Sequence, residues 1–440
     1  MKRYRFLLVN PWIYDFKAYD FWMKPLGLLY VASILRNAGY EIDFIDCLDR
    51  YHPVLLKNIS KLPKIDEFGR GKFYNQEIPK PELYKNIERR YKRYGLPKEL
   101  FEEILSQINK PDWIFVTSVM TYWYPGVFDT VRILKQHFPD TPIVLGGIYA
   151  TLCYEHAQKF SNADYVLPGP VEKGLIQILP ALKQFNFSEY PIPAFDLYTK
   201  LDYACILTSQ GCLFRCVYCV VPELYPKYIY RSVDSVLNEI EYYISLGVKN
   251  IAFYDDALLA NPNFQSILDN IIEKKIDVNF HTPNGLHPRL LTQEITYRMF
   301  RAGFKTIYLS LETADPDIHQ QIDNKVTTEE FVRAVEYLKS SGFSESQIHC
   351  YLLIGLPELT SERIIKSIDF VHSLGISAHL AEFSPIPNSP IFTQFGFDTQ
   401  TDPLYHNNII FPLLNEKQQA KMQEVKKYLS KLRHIKEKNK

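Results

Sequence analysis

The sequence predicts an α/β protein in which a doubly wound, flavodoxin- or Rossmann-like N-terminal domain precedes a partial (βα)6 barrel and a short C-terminal helical tail. Three observations predict it. Short apolar strand candidates alternate with helix-period segments along most of the 440 residues, the pattern of parallel βα units. Gly247, Gly303, Gly342 and Gly375 each follow a helical stretch and precede a strand, where a left-handed C-terminal cap belongs. A chain of this length, 46% hydrophobic, supports two or three domains with their own cores.

In the first half, residues 5–10, 42–46, 113–118, 143–145 and 165–167 are strand candidates, with helices expected over 26–37 and 127–138. This rhythm is doubly wound. The domain is expected to span 1–170 with a long insertion at 52–111, more chain than a loop in a compact domain usually holds. Inside it, Phe68-Gly69-Arg70-Gly71-Lys72-Phe73-Tyr74 and Arg89-Arg90-Tyr91-Lys92-Arg93-Tyr94 interleave basic and aromatic residues. Such a run can grip phosphate or stack on a base; it can equally be a solvated helix, diluted by Glu82, Glu88, Glu99 and Glu102, and a cap over the space between the domains is the expected role. Residues 171–200, with Pro191-Ile192-Pro193, read as a linker.

In the second half, 204–208, 251–254, 278–281, 306–311, 347–353 and 379–383 are the six strand candidates of a domain expected at 201–390. Thr327 and Glu330 have capping-box spacing at the start of one of its helices. Residues 391–440 form the C-terminal extension, whose lysine-rich end from 415 reads as a surface helix.

Lys+Arg and Asp+Glu both number 50, so no global field draws the chain to nucleic acid or to a membrane. No apolar run approaches the roughly 20 residues that a spanning helix needs. Seven cysteines is an odd count, and no basic segment followed by an apolar one opens the chain, so a cytoplasmic, reducing setting is expected rather than a disulfide framework. The 14% aromatic content, with 31 tyrosines, suits core packing and deep pockets. Cys47, Cys153, Cys205 and Cys350 are scattered and read as small hydrophobes.

Cys212, Cys216 and Cys219 are different. They lie in Thr208-Ser209-Gln210-Gly211-Cys212-Leu213-Phe214-Arg215-Cys216-Val217-Tyr218-Cys219, a C-x3-C-x2-C loop directly after an apolar strand. A 4Fe-4S cluster normally takes four thiolates, so three in one loop leave an iron open for a ligand that takes part in chemistry. Structural zinc also uses clustered cysteines, but usually as two C-x2-C pairs or with nearby histidines, and no second pair is present.

At these residues the chain resembles the radical S-adenosylmethionine (radical SAM) family. The resemblance implies that SAM chelates the open iron through its amino and carboxyl groups, and that electron transfer from the cluster releases a 5′-deoxyadenosyl radical. It also implies a partial barrel with its chemistry at the C-terminal strand ends. By the same likeness Tyr218 lies beside the adenine. Tyr254-Asp255-Asp256, ending the second strand, departs from the family's Gly-Gly-Glu-like motif yet keeps acidic residues for the SAM ammonium; an ordinary helix cap is the plain alternative. Ser310 and Glu312, which alternation puts on one side of the fourth strand, suit the ribose hydroxyls, with a barrel salt bridge as the alternative. Gly355, in Ile354-Gly355-Leu356-Pro357-Glu358, resembles the turn near the adenine. His281, Asn284 and His287 follow the third strand and are candidates to face the substrate or to structure the loop.

The first half resembles the cobalamin-binding domain that precedes the barrel in one radical SAM subfamily. The residues are Pro25-Leu26-Gly27-Leu28-Leu29-Tyr30, then Ser118-Val119-Met120, and Gly146-Gly147 28 residues after Ser118. In that fold Ser118, Gly146 and Gly147 would line the slot for the nucleotide tail. No Asp-x-His-x-x-Gly is present and the first histidine is His52, so cobalt would lack a histidine ligand.

The resemblance therefore implies a cytoplasmic, oxygen-sensitive enzyme using a 4Fe-4S cluster, SAM and cobalamin, with a flavodoxin or ferredoxin as electron donor. The expected reaction is methylation of an unactivated carbon in an unidentified substrate. Cyclisation, rearrangement or other C–C bond chemistry without methyl transfer is the second expectation; a non-catalytic cobalamin or iron-sulfur protein is the third. A tRNA methylthiolating enzyme fits less well, since a second cysteine trio and an RNA-binding domain are not visible.

Overall fold

The computed structural model describes residues 4–322 and 325–438. It divides into two compact units, one of Met1–Cys205 with Tyr242–Val248 and Asp398–His406, the other of Ile206–Glu241, Lys249–Phe397 and Asn407–Lys440.

The first unit is built on five strands: β1 (Arg5–Asn10), β2 (Glu41–Asp46), β3 (Trp113–Val116), β4 (Ile143–Leu145) and β5 (Tyr165–Val166). They pair in parallel in the order β2-β1-β3-β4-β5. That is the flavodoxin-like order, whose switch point falls between β1 and β3, where ligands of such sheets bind. Phe6, Leu8, Phe115 and Val144 pave one face, and α1 (Leu26–Asn37) lays Leu28, Val31, Ala32 and Leu35 against it.

The insertion is structured rather than a bare loop. Asn75–Glu77 and Lys92–Tyr94 pair antiparallel with each other, and Ile13–Asp15 completes their three-stranded sheet. The basic and aromatic residues singled out there largely satisfy one another. The Arg70 guanidinium lies 4.8 Å from the Trp22 ring and bonds Asp66, while Arg93 is buried on a strand. Arg93 thus departs from both the base-stacking and the solvated-helix expectation, because its local environment is a sheet interior.

A second sheet holds β6 (Ala204–Ile206), β7 (Asn250–Phe253), β8 (Asn279–Leu286), β9 (Phe304–Glu312), β10 (Ile348–Ile354) and β11 (Ser377–Glu382), ordered in space as in sequence, with β7 to β11 in the second unit. Neighbours from β7 to β11 pair in parallel. Gly247, Gly303, Gly342 and Gly375 have φ of 80°, 96°, 112° and 77°, the left-handed caps that the sequence predicts. Thr327 and Glu330 form their capping box. On β10, Ile348, Cys350 and Leu352 are buried while His349 and Tyr351 between them are half-buried, so the sheet has an apolar helix-facing side and a polar inner side. The tail is helical over Glu416–Lys438. Among the described residues no helix is long and apolar enough to cross a membrane.

Candidate active site at the carboxyl edge of the barrel

β6 delivers the chain to residues 207–211 and then to the first cysteine. Ser209 and Gln210 pair antiparallel with Tyr230 and Ile229. Gly211 has φ 93°, and a Cβ there would sit 2.8 Å from the Lys227 carbonyl oxygen, so the turn into Cys212 admits only glycine comfortably. Beyond it, the Val217 N–H donates to the Ile322 carbonyl (2.9 Å) and the Val217 carbonyl accepts from Ile391 N–H (3.1 Å). Phe214 stacks on His287 at 3.8 Å. Cys216 is buried and Cys212 and Cys219 half-buried, with both of the latter thiols pushed up chiefly by burial.

Among the described residues no three His, Cys, Asp or Glu side chains converge in the shell of a single metal ion. A four-iron cluster, which presents a separate iron to each cysteine, suits three thiols spread along one loop.

The end of β7 grips the root of that loop. The Asp255 carboxylate accepts from Thr208 N–H and hydroxyl (3.1 and 2.6 Å) and from Ser209 N–H and hydroxyl (both 2.6 Å). Asp256 stands beside it, near the Gly211 N–H; burial first, then Asp255, pushes its carboxyl up to about 7. Tyr254 is half-buried, donates its N–H to Ile206, and its carbonyl accepts from the Asn284 side chain (2.7 Å).

On β9, Ser310 and Glu312 are both buried, but the alternation expected between them is broken. Ser310 pairs with Tyr351 and Glu312 with Leu352, so Leu311 is an extra residue, and Glu312 has φ 65°. A non-glycine residue held there costs on the order of 1–3 kcal/mol and clusters at functional sites. Glu312 accepts from Lys325 Nζ at 2.8 Å, and the same ammonium bonds the Tyr218 hydroxyl at 2.8 Å. Lys325 thus joins two residues singled out from sequence, and nothing in its own local pattern marked it.

Gly355 has φ 102°, and nearest its missing Cβ are the Phe411 ring (3.1 Å) and the Cβ and N of Phe383 (both 3.5 Å). His281 is not turned toward a ligand: it is fully buried, with Nδ1 2.9 Å from Thr306 Oγ1 and Nε2 3.2 Å from Asn250 Oδ1. Asn284 ties β8 to the end of β7, and His287 packs on the cysteine loop. The inner wall also holds residues that sequence reasoning missed. Tyr308 stacks on His349 (4.6 Å) and Tyr351 (4.9 Å), and His379 Nε2 lies 3.2 Å from His349 Nδ1. The signal was present in the alternation of polar and apolar residues along β10.

In the first unit, Ser118, Gly146 and Gly147 meet at the carboxyl edge of β3 and β4. Ser118 Oγ donates to the Gly146 carbonyl at 2.6 Å. Gly147 has φ 93°, and a Cβ there would fall 2.2 Å from the Ser118 carbonyl; a Cβ on Gly146 would meet nothing nearer than the Leu167 carbonyl at 3.9 Å. His52, the first histidine, caps a helix by accepting from Val54 N–H at 3.3 Å.

Residues 206–371 match the model of the Radical SAM superfamily. The barrel belongs to the radical SAM superfamily. Two curated proteins similar to this chain are methyltransferases by name. The uncharacterized methyltransferase PH0819 of Pyrococcus horikoshii is 24% identical over 342 residues, covering 68% of this chain and 73% of that protein. The cytidylyl-2-hydroxyethylphosphonate methyltransferase of Streptomyces wedmorensis is 20% identical over 462 residues, covering 87% and 80%. Among solved structures, the radical SAM methyltransferase TsrM from Kitasatospora setae, with cobalamin and a 4Fe-4S cluster bound, aligns over 89% of this chain and 78% of its own with a TM-score of 0.65. At 16% identity this likeness is one of fold, and the fold includes both units.

Proposed function

We propose that this chain is a cobalamin-dependent radical SAM methyltransferase. The observation that carries the reading is the three-cysteine loop at the carboxyl end of the first barrel strand, inside the matched radical SAM segment. Cys212, Cys216 and Cys219 would ligate the 4Fe-4S cluster. Bound there, cluster and SAM supply a 5′-deoxyadenosyl radical, and cobalamin supplies the methyl group.

This chain's own residues hold and orient. Glu312 offers a carboxylate for the ribose hydroxyls, Tyr218 an aromatic face, and Lys325 a cation able to meet the SAM carboxylate, since it already spans Glu312 and Tyr218. Asp256 and the exposed main chain after β7 face the same loop, and Gly355 and Ser310 complete the edge. Gly146 would leave room for the cobalamin tail, since a Cβ there meets nothing nearer than 3.9 Å, while Gly147 and Ser118 would hold the turn beside it, packed too closely for a Cβ on Gly147. The polar inner wall of Tyr308, His349, Tyr351 and His379 favours a substrate with hydrogen-bonding groups. In domain terms, residues 1–170 with the 52–111 insertion would bind cobalamin, 171–200 connect, 201–390 form the catalytic barrel and 391–440 extend it. The setting is a reducing cytoplasm with a flavodoxin- or ferredoxin-type donor, and the enzyme is oxygen-sensitive.

The test is anaerobic purification with cluster and corrinoid reconstitution, then reductant-dependent assay of SAM products. A corrinoid spectrum with 5′-deoxyadenosine and S-adenosylhomocysteine is expected. Deoxyadenosine without corrinoid would leave radical chemistry but remove methyl transfer, and a chain that takes up no cluster would sink the reading.

A further inference from the structure

The buried Asp255 sits where the family resemblance looks for a ligand to the SAM ammonium, yet its geometry assigns it elsewhere. A carboxylate has about four lone-pair sites. Asp255 Oδ1 accepts from four donors, the N–H and hydroxyl groups of Thr208 and Ser209, and Oδ2 lies 3.1 Å from the Thr208 N–H as well. The side chain is 3% exposed. Oδ1 is saturated inside the protein, and Oδ2 is turned to the Thr208 N–H as well.

The groups it holds are the root of the cysteine loop, and they are held from every side. Thr208 Oγ1 also accepts from Asn261 Nδ2 (2.9 Å), and the Thr208 carbonyl accepts from Arg231 N–H (2.9 Å). Arg231, itself 0% exposed and paired with the equally buried Glu239, donates to the Leu207 carbonyl at 3.0 Å. At the far end of the same short segment, Asp256 stands near the Gly211 N–H. Only Cys212 follows. An asparagine would not be equivalent to Asp255: it lacks the charge that four donors converge on, and its amide N–H groups would replace Oδ2, 3.1 Å from the Thr208 N–H.

We propose that Asp255 is a positioning residue for the iron-sulfur cluster, fixing residues 208 and 209 so that Cys212 enters the loop at one angle, and that it does not touch SAM. The proposal rests on the radical SAM reading above. Groups that orient metal ligands typically change affinity or activity 10- to 100-fold when removed, so the effect should be large although no ligand is lost.

The experiment compares wild type, Asp255→Asn and Asp255→Glu after anaerobic reconstitution, normalised to iron and sulfide per chain. The deciding readout is the electron paramagnetic resonance spectrum of the reduced cluster without SAM. Asp255→Asn should shift its g-values or broaden it, and lower kcat for 5′-deoxyadenosine about 10- to 100-fold with KM for SAM within about threefold; Asp255→Glu should restore part of both. An unchanged SAM-free spectrum overturns the proposal, whether KM for SAM rises, as for an ammonium ligand, or nothing moves. Should Asp255→Asn fail to fold by circular dichroism, Ser209→Ala, which removes one donor and leaves the carboxylate, carries the same spectral decision. A wild-type chain that assembles no cluster fails at the earlier step and sinks the radical SAM reading itself.

Discussion

At the carboxyl edge of the barrel the residues in question are polar and tied down: Asp255 to the loop root, Lys325 to Glu312 and Tyr218, Phe214 to His287. At the carboxyl edge of the first sheet the corresponding positions are Ser118, Gly146 and Gly147, whose hydroxyl and main chain bond one another and of which Gly146 opens on free space. On the proposed reading, one site would be defined by what its side chains do, the other by the room left beside it. A small reactive cluster demands ligands and fixed charge, whereas a large cofactor with its own metal chemistry demands chiefly room. Substitutions should therefore fail in different ways at the two edges.

The largest separation is expected from Cys216→Ala. It should abolish cluster absorbance and 5′-deoxyadenosine while corrinoid uptake by the same protein stays at the wild-type level, measured by ultraviolet-visible spectra after desalting. Loss of corrinoid together with cluster would break the comparison, because the two edges would then not be independent.

Lys325→Met sharpens the barrel side. It leaves the buried Glu312 carboxylate without its cation, a change that costs about 3–5 kcal/mol, and it removes a partner of Tyr218. Thermal unfolding should drop, and KM for SAM should rise about tenfold, which corresponds to about 1.4 kcal/mol of lost binding. Adding Glu312→Gln should return much of the stability and none of the SAM affinity. A double variant no more stable than the single one would mean that the pair is not the source.

Gly147→Ala probes the other edge. Its backbone is left-handed and its Cβ would stand 2.2 Å from the Ser118 carbonyl, so strain and displacement together should cost about 3 kcal/mol. Corrinoid retention should fall, while cluster content and uncoupled SAM cleavage persist. Gly146→Ala, where a Cβ meets nothing closer than 3.9 Å, should be stable alone and impaired only in corrinoid binding. Equal corrinoid binding by both variants and wild type would remove the cobalamin slot from this edge.

How much of this was legible beforehand follows the same division. Strand positions, glycine caps and the capping box follow from period, φ > 0 and N–H satisfaction, all local, and the structure bears them out. The cysteine trio was legible because its spacing is itself the signal. Three things were not. The bulge at Leu311 shifts Glu312 out of strict alternation, and a one-residue insertion leaves no compositional trace. Lys325 meets Glu312 although the helix Pro316–Ile322 separates them in sequence, so the contact is tertiary. Asp255 and Asp256 are neighbours of one type in sequence, and only the fold gives one to Thr208 and Ser209 and the other to Gly211.

The smallest expected difference between the regions is one of pH. His406 belongs to the first unit, where it is 1% exposed and its Nδ1 lies 3.0 Å from Thr121 Oγ1. Burial, helped by nearby His156, pushes its pKa down to about 3, and burial lowers that of His156 too, against the pull of Asp402. The folded value lies below the usual unfolded value of about 6.5, so between these pH values the unfolded chain binds a proton that the folded one refuses. Stability from this source is complete above pH 6.5 and is lost as pH falls, by about 2 kcal/mol at pH 5. Hydrogen exchange should accordingly rise first in residues 398–406 and around Thr121 as pH is lowered from 7 to 5, before the core strands of the barrel respond. His406→Gln should cost some stability at pH 7 and flatten the dependence; a variant as pH-sensitive as wild type would place the titrating group elsewhere.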